Sequence, residues 1–185
     1  MPARPMLEKH ARLRLALALI ARRTRLSIVH QETDIPRDAL RALYRELHGT
    51  SAPSGQLPSA GGAAITTRQL QVCASLFALT YRQFRRSQCR SGHNGLPARP
   101  IHAVISAHDA LGALLGADNR LDMTLCWTRA RDLRTGAATL QRCPDCEIRF
   151  LIARDGRFAQ GCPLCALYRS AGLSARALRL LDERS

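Results

Sequence analysis

Apolar residues recur along most of this chain with the 3.6-residue period of helices, and only near the C-terminus does the period shorten to two. From Leu7 to Arg23, Leu13, Leu17 and Ile20 share one helical stripe while Leu15 and Leu19 share a second. Such a helix is apolar around most of its girth near its end, and a domain this small has little core to cover both stripes. A partner chain is the natural cover. The spacing then predicts a helix over Ser27 to Glu32, a break at Thr33-Asp34-Ile35-Pro36, and a further helix with Leu40, Leu43 and Leu47 on its apolar stripe. Pro36 at the first turn and Gly49 after the last mark its two ends.

Arg37, Arg41 and Arg45 lie off that stripe. Two short helices joined by a tight turn, the second basic, resemble a helix-turn-helix whose recognition helix reads DNA, although the turn lacks the usual glycine. A solvated helix face is the plainer reading of the same three arginines. Residues 49 to 64 hold Gly49, Pro53, Gly55, Pro58, Gly61 and Gly62 and read as a loop. Three more helices are expected: Leu70 to Arg86, with Leu70, Cys73, Phe77, Tyr81 and Phe84 as its core stripe, then Ile101 to Leu115, and Leu121 to Thr135 ending at Gly136. Arg82, Arg85, Arg86 and Arg90 lead into the Gly/Pro-rich stretch Ser91 to Pro100, as a solvated helix end or as phosphate contacts. A last short helix, capped by Ser174, carries Arg176 and Arg179.

The period of two appears between two cysteine hooks. Cys143-Pro144-Asp145-Cys146 and Cys162-Pro163-Leu164-Cys165 are separated by fifteen residues, and Ile148, Phe150 and Ile152 alternate with Arg149, Leu151 and Ala153 in that interval. The reading is a short strand, a tight turn at Asp155-Gly156 and a return strand led by Phe158 toward Cys162. Two residues between cysteines let one turn present both sulfurs to a single ion, and proline after the first cysteine pre-sets φ for that turn. Four thiolates complete a tetrahedral zinc site, so Cys143, Cys146, Cys162 and Cys165 are the candidate ligands of one structural Zn²⁺. Two disulfides or four unrelated thiols are the alternatives.

Composition changes the picture in two ways. The formal net charge of +14 is spread along all 185 residues, and Lys9 is the only lysine among 28 basic side chains. A four-thiolate zinc site lowers that charge only slightly, so an extended polyanion is the expected partner. Cys73, Cys89 and Cys126 are left over beside the quartet, an odd remainder that argues for a reducing, cytoplasmic compartment. The apolar run Leu15 to Ala21 is too short to span a bilayer, and Arg22 and Arg23 stand where a signal-peptide cleavage site belongs. No membrane association is expected.

No catalytic residue is singled out. His102 and His108 are six apart, off one helical face, and His93 lies alone in a Gly/Pro-rich loop. No phosphate-cradling glycine loop, serine-nucleophile elbow or clustered carboxylate pair appears, so an enzyme is not expected.

Leu43-Tyr44-Arg45-Glu46-Leu47-His48-Gly49, followed by Pro53, Gly55 and Leu57-Pro58, resembles the N-terminal signature of the FlhC family of flagellar master regulators, and Cys126-Trp127-Thr128 through Cys143 resembles the segment leading to that family's zinc cysteines. The resemblance runs over nearly the whole chain and departs after Pro58, where Ser59 to Ala64 is Gly- and Ala-rich. It implies a bacterial cytoplasmic transcriptional activator that assembles with FlhD into a ring-shaped heterohexamer, binds promoter DNA and recruits RNA polymerase to flagellar genes. It also implies that the positions of Cys143, Cys146, Cys162 and Cys165 bind zinc.

The expected fold is mainly α: residues 1–136 form a helical domain with a helix-turn-helix-like N-terminal part, and 137–185 a small four-cysteine zinc segment with a short β-hairpin. The expected function is the DNA-binding subunit of the activator complex. Arg37, Arg41 and Arg45 would face the bases, and Arg82, Arg85 and Arg86 the phosphates. A zinc-containing RNA-binding or ribosome-associated adaptor is the alternative.

Overall fold

A computed structural model of the chain describes residues 5–58, 64–90, 99–154, 156 and 161–172, with the side chains of 89 and 90 excepted. The expected return strand at Phe158, the helix capped by Ser174, His93 and the side chain of Cys89 lie outside the described residues. The chain divides into two compact units, residues 1–57 with 122–124 and residues 58–121 with 125–185.

The first unit holds α1 (Pro5–Ala21), α2 (Leu26–Thr33) and α3 (Arg37–His48), each packed on the other two. Leu15, Ala16, Leu19 and Ile20 of α1, Ile28 and Val29 of α2, and Leu40 and Tyr44 of α3 make the core. Of the two stripes expected on the first helix, Leu15 and Leu19 are buried, while Leu13 and Leu17 stay exposed with Met6 and Leu7. On α3 the core pair is Leu40 and Tyr44 at i, i+4, and Leu47 is half exposed.

The turn between α2 and α3 solves its missing glycine with an aspartate. Asp34 adopts the left-handed conformation at φ 57°, and its N–H donates to the His30 carbonyl. Asp enters that region at low cost among non-glycine residues. His30 Nδ1 then donates to the Ile35 carbonyl across the turn at 2.8 Å, and His48 Nε2 at the end of α3 donates to the Ile20 carbonyl at 2.8 Å. Both bonds require the proton on the named nitrogen.

Beyond α3, Gly55 turns the loop at φ 117°, where an added Cβ would lie 3.0 Å from the Arg25 guanidinium. That guanidinium donates to the Gln56 carbonyl at 3.0 Å and the Ser54 carbonyl at 3.4 Å. Gly55→Ala is therefore expected to destabilise the first unit by about 1–3 kcal/mol, because L-residues are strained at such φ values. Gly112→Ala, inside a helix with open space around the new methyl, is expected to stabilise by about 0.5–1 kcal/mol. Denaturant titrations of the two variants should move in opposite directions. A Gly55→Ala midpoint equal to that of the parent would refute the strain argument.

The second unit is built on the long helix α4 (Arg68–Arg90), which packs against α5 (Pro100–Leu115), the strand β2 (Arg149–Ala153) and α7 (Pro163–Ser170). Cys73, Phe77 and Tyr81 of the predicted α4 stripe are buried and Leu70 and Phe84 half-buried, with Phe77 and Tyr81 stacked at 5.9 Å. Both helices bury small residues, Ala74 and Ala78 on α4 and Ala103 and Ala107 on α5, which permits close packing of their backbones. α6 (Met123–Thr135) follows a 3₁₀ turn at Gly116–Asp118 and ends at Gly136, φ 76°.

The hairpin is present, but its partner strand differs from the expected one. β2 pairs antiparallel with β1 (Ala138–Arg142), which precedes the first hook, in the register Leu140 opposite Leu151. The expected turn at Asp155-Gly156 therefore does not join these paired strands; the first hook does. The Cys143 N–H donates to the Ile148 carbonyl and extends the ladder by one rung, and the Glu147 N–H donates back to the Cys143 carbonyl at 3.0 Å with Glu147 at φ 62°. On its other edge β2 meets α4. Gln71 Nε2 donates to the Leu151 carbonyl at 3.2 Å, and the Leu151 N–H donates to Ser75 Oγ at 2.9 Å. Both backbone groups that β1 leaves open at Leu151 are thus satisfied by helix side chains, which closes an edge otherwise open to strand addition.

Candidate functional site

The hooks converge from opposite ends of the cysteine segment. The first is the hairpin turn itself; the second opens a helix, with Cys162 at the N-cap of α7, Pro163 at its first position and Cys165 within its first turn. Proline fits there because the first helical N–H has no intrahelical acceptor. Arg68 of α4 donates to the Gly161 carbonyl at 3.2 Å and ties the approach to this hook to the long helix.

All four sulfurs lie within 4.8 Å of one another, a group able to hold one metal ion. Cys143 Sγ stands 3.7 Å from Cys165 Sγ, and Cys146 Sγ 3.6 Å from Cys162 Sγ. A tetrahedron with metal–sulfur bonds of about 2.3 Å has edges of about 3.8 Å, so the donor set fits zinc. None of these cysteines is in a disulfide. Phe150, Ile152 and Leu164 pack with the four cysteines, of which Cys143, Cys162 and Cys165 are buried and Cys146 is partly exposed.

The electrostatics call for a cation. Burial opposes ionisation of Cys143, but the backbone N–H groups of Cys146 and Asp145, with side-chain bonds from Cys146 and Cys165, outweigh it and hold the thiol below its ordinary pKa. Cys146 is pushed up by burial and by the sulfurs of Cys143 and Cys162, against the N–H of Ile148. Burial, then the sulfurs of Cys146, Cys143 and Cys162, push Cys165 far above the thiol range. The fold favours the Cys143 thiolate, while Cys146 and Cys165 ionise readily only if a metal supplies the positive charge. A sphere closed by four sulfurs leaves no position for substrate.

The basic candidates fall into two groups. Arg37, Arg41 and Arg45 are exposed on α3, beside the buried Leu40 and Tyr44, and Asp38 accepts from Arg41 at 2.6 Å. Arg82 and Arg86 are exposed and Arg85 half-buried near the end of α4, in the second unit. The structure adds Arg25 to the first group, a residue that sequence spacing did not select because it lies outside both helices of the motif. It also shows a pair that went unnoticed: Arg129 and Asp132 of α6 are fully buried, with Arg129 Nη1 3.1 Å from Asp132 Oδ2. Their i, i+3 spacing was the available signal. His102 is exposed, and His108 Nδ1 lies 3.1 Å from the carboxylate of the adjacent Asp109. No helix among the described residues is long and apolar enough to cross a membrane.

Comparison with known proteins bears on all of these features. A family model described as flagellar transcriptional activator (FlhC) matches residues 1–178. The chain is 33% identical to the flagellar transcriptional regulator FlhC of Cupriavidus necator over 175 residues, covering 92% of this chain and 82% of the relative. It is 35% identical to that of Cupriavidus metallidurans over 157 residues, 83% of this chain and 70% of the relative, and 32% identical to that of Paraburkholderia atlantica over 174 residues, 92% and 76%. With a match that takes in the helix-turn-helix, the long helix and both cysteine hooks, the chain belongs to the FlhC family of flagellar transcriptional activators.

Proposed function

We propose that this chain is the DNA-contacting subunit of a bacterial cytoplasmic activator, that it assembles with FlhD into a heterohexamer, and that the complex recruits RNA polymerase to flagellar promoters. The observation that carries the reading is the row Arg37, Arg41 and Arg45, exposed on the second helix of a helix-turn-helix within a family of transcriptional activators. Arginine forks suit guanine edges in a major groove, and residues near the start of a recognition helix reach bases. Arg82, Arg85 and Arg86 serve as phosphate contacts. Met6, Leu7, Leu13 and Leu17 form an exposed apolar face on α1 that FlhD would cover. One Zn²⁺, held by Cys143, Cys146, Cys162 and Cys165, supplies folding energy and performs no chemistry.

The roles predict different mutants. In the complex with FlhD, Arg37→Ala or Arg41→Ala should cost about 1–3 kcal/mol on a flagellar promoter duplex and blunt discrimination against a scrambled one. Arg82→Ala should weaken both duplexes alike and lower the salt slope by roughly one. Titrations at several salt concentrations, with structured RNA as competitor, decide the matter. Unchanged affinity and specificity in both α3 variants would remove the helix-turn-helix as reader, and preference for the RNA would remove the promoter reading altogether.

A further inference from the structure

Between α3 and the loop that follows it lies a cleft of about 460 Å³, lined by Arg25, Arg37, Arg41, Arg45, Ser51 and Ser54 among others. None of its lining residues is acidic. The volume lies in the range of about 300–1,000 Å³ usual for small-molecule sites. Four arginines line this one concavity: the i, i+4, i+8 spacing puts Arg37, Arg41 and Arg45 on one face of α3, and the loop after α3 brings Arg25 to them. Arg25 is fixed in position by the Ser54 and Gln56 carbonyls, and the loop comes this close to it because Gly55 has no side chain. Asp38 holds Arg41 from outside the cleft and takes up part of one arginine's charge.

We propose that this cleft binds a phosphate group, with the α3 arginines taking its oxygens through charge-assisted bonds from one wall and the serine hydroxyls donating from the loop. The phosphate belongs either to a small polyphosphate anion of nucleotide size or to a duplex backbone; the recognising chemistry is shared. A recessed concavity suits the compact terminal phosphates of a free anion. An anion seated there withdraws Arg37 and Arg41 from base edges, so it competes with the DNA reading proposed above. The competition rests on that reading, and the phosphate site itself does not.

The test is calorimetric titration of the full-length, zinc-loaded chain with inorganic tripolyphosphate at constant ionic strength. It compares the parent with Arg45→Gln, Arg37→Gln/Arg45→Gln and, as a control outside the cleft, the exposed Arg120→Gln. The exposed α3 positions leave the core intact, and far-ultraviolet circular dichroism checks this; the single variant serves if the double one fails to fold. One saturable site per chain is expected, weakened about tenfold or more in the double variant and unchanged in the control. Promoter duplex binding, measured on the same proteins in complex with FlhD, separates the sources. Loss of tripolyphosphate affinity alone identifies a free anion, whereas a further loss of duplex affinity that is equal on promoter and scrambled duplexes identifies a backbone phosphate as well, since loss of a base contact falls on the promoter duplex. Non-saturable titration, or equal affinity in parent and double variant, overturns the site, even where duplex binding still falls and the DNA reading survives. If no protein binds the duplex while tripolyphosphate affinity still falls, the DNA reading fails and the cleft stands.

Discussion

Cys162→Ser should purify without metal and with its C-terminal segment unfolded, whereas the parent chain should carry one zinc. A hydroxyl stays protonated and is too hard a ligand to take the place of a thiolate in a four-sulfur set. The consequence is large because the segment has little else to hold it. Its apolar cluster is Phe150 with Ile152 and Leu164, and the cysteines themselves make up the rest. Without the ion, Cys146 and Cys165 revert to thiols whose ionisation is opposed by desolvation and neighbouring sulfurs. Metal binding worth roughly 10–16 kcal/mol is folding free energy for such a unit. The damage should spread to α4, because Leu151 is bound to Gln71 and Ser75, and Gly161 to Arg68. Elemental analysis and amide exchange at residues 138–170 provide the measurement. A parent chain purified without chelator and found free of zinc would refute the site, and so would full protection in the metal-free Cys162→Ser protein.

The local features of this fold could be read in advance, and the contacts between segments distant in the chain could not. Helical periodicity located α1 to α6 to within a few residues, because each has several apolar side chains at i, i+3 or i+4, and α3, α5 and α6 end at a glycine. The quartet was visible for a similar reason: C-P-x-C is a local turn with its own geometry. The alternation of β1 is too short to mark a strand on its own: Ala138 is buried and Leu140 half-buried between the exposed Thr139 and Gln141, and pairing with β2 is what makes these five residues a strand. Without that partner in view, β2 was paired forward toward Phe158. Gln71 and Ser75 looked like ordinary polar positions on a helix, and only the path of β2 makes them ligands of its backbone. On α3 the expected stripe of Leu40, Leu43 and Leu47 gives way to Leu40 with Tyr44, whose neighbour His48 reaches the Ile20 carbonyl of α1. The basic cleft likewise depends on bringing Arg25 to the loop at Ser54, twenty-nine residues away.

Asp132→Asn should be the most damaging single substitution outside the cysteine quartet. Arg129 and Asp132 are both fully buried on α6, and Asp132 also accepts from the half-exposed Arg131 at 3.4 Å. Burial lowers the pKa of the Arg129 guanidinium, the Asp132 carboxylate working against that shift, yet arginine does not give up its proton in a protein interior. Its charge must be met where it lies. Asparagine keeps the size of the side chain and removes the compensating charge, which strands a buried cation at a cost of about 3–5 kcal/mol. Arg131, stacked 5.5 Å from the centre of the Trp127 ring, is held by a second contact and should tolerate the change better. The diagnostic experiment is a double-mutant cycle. Arg129→Met/Asp132→Leu replaces the pair by apolar side chains of similar volume, and it should recover most of the stability lost in Asp132→Asn, since buried ion pairs add little net stability over a packed hydrophobic pair. Denaturant unfolding of the parent, both single variants and the double variant measures the coupling. Asp132→Asn within about 1 kcal/mol of the parent would mean that solvent or another carboxylate already compensates Arg129, and that α6 does not depend on this pair.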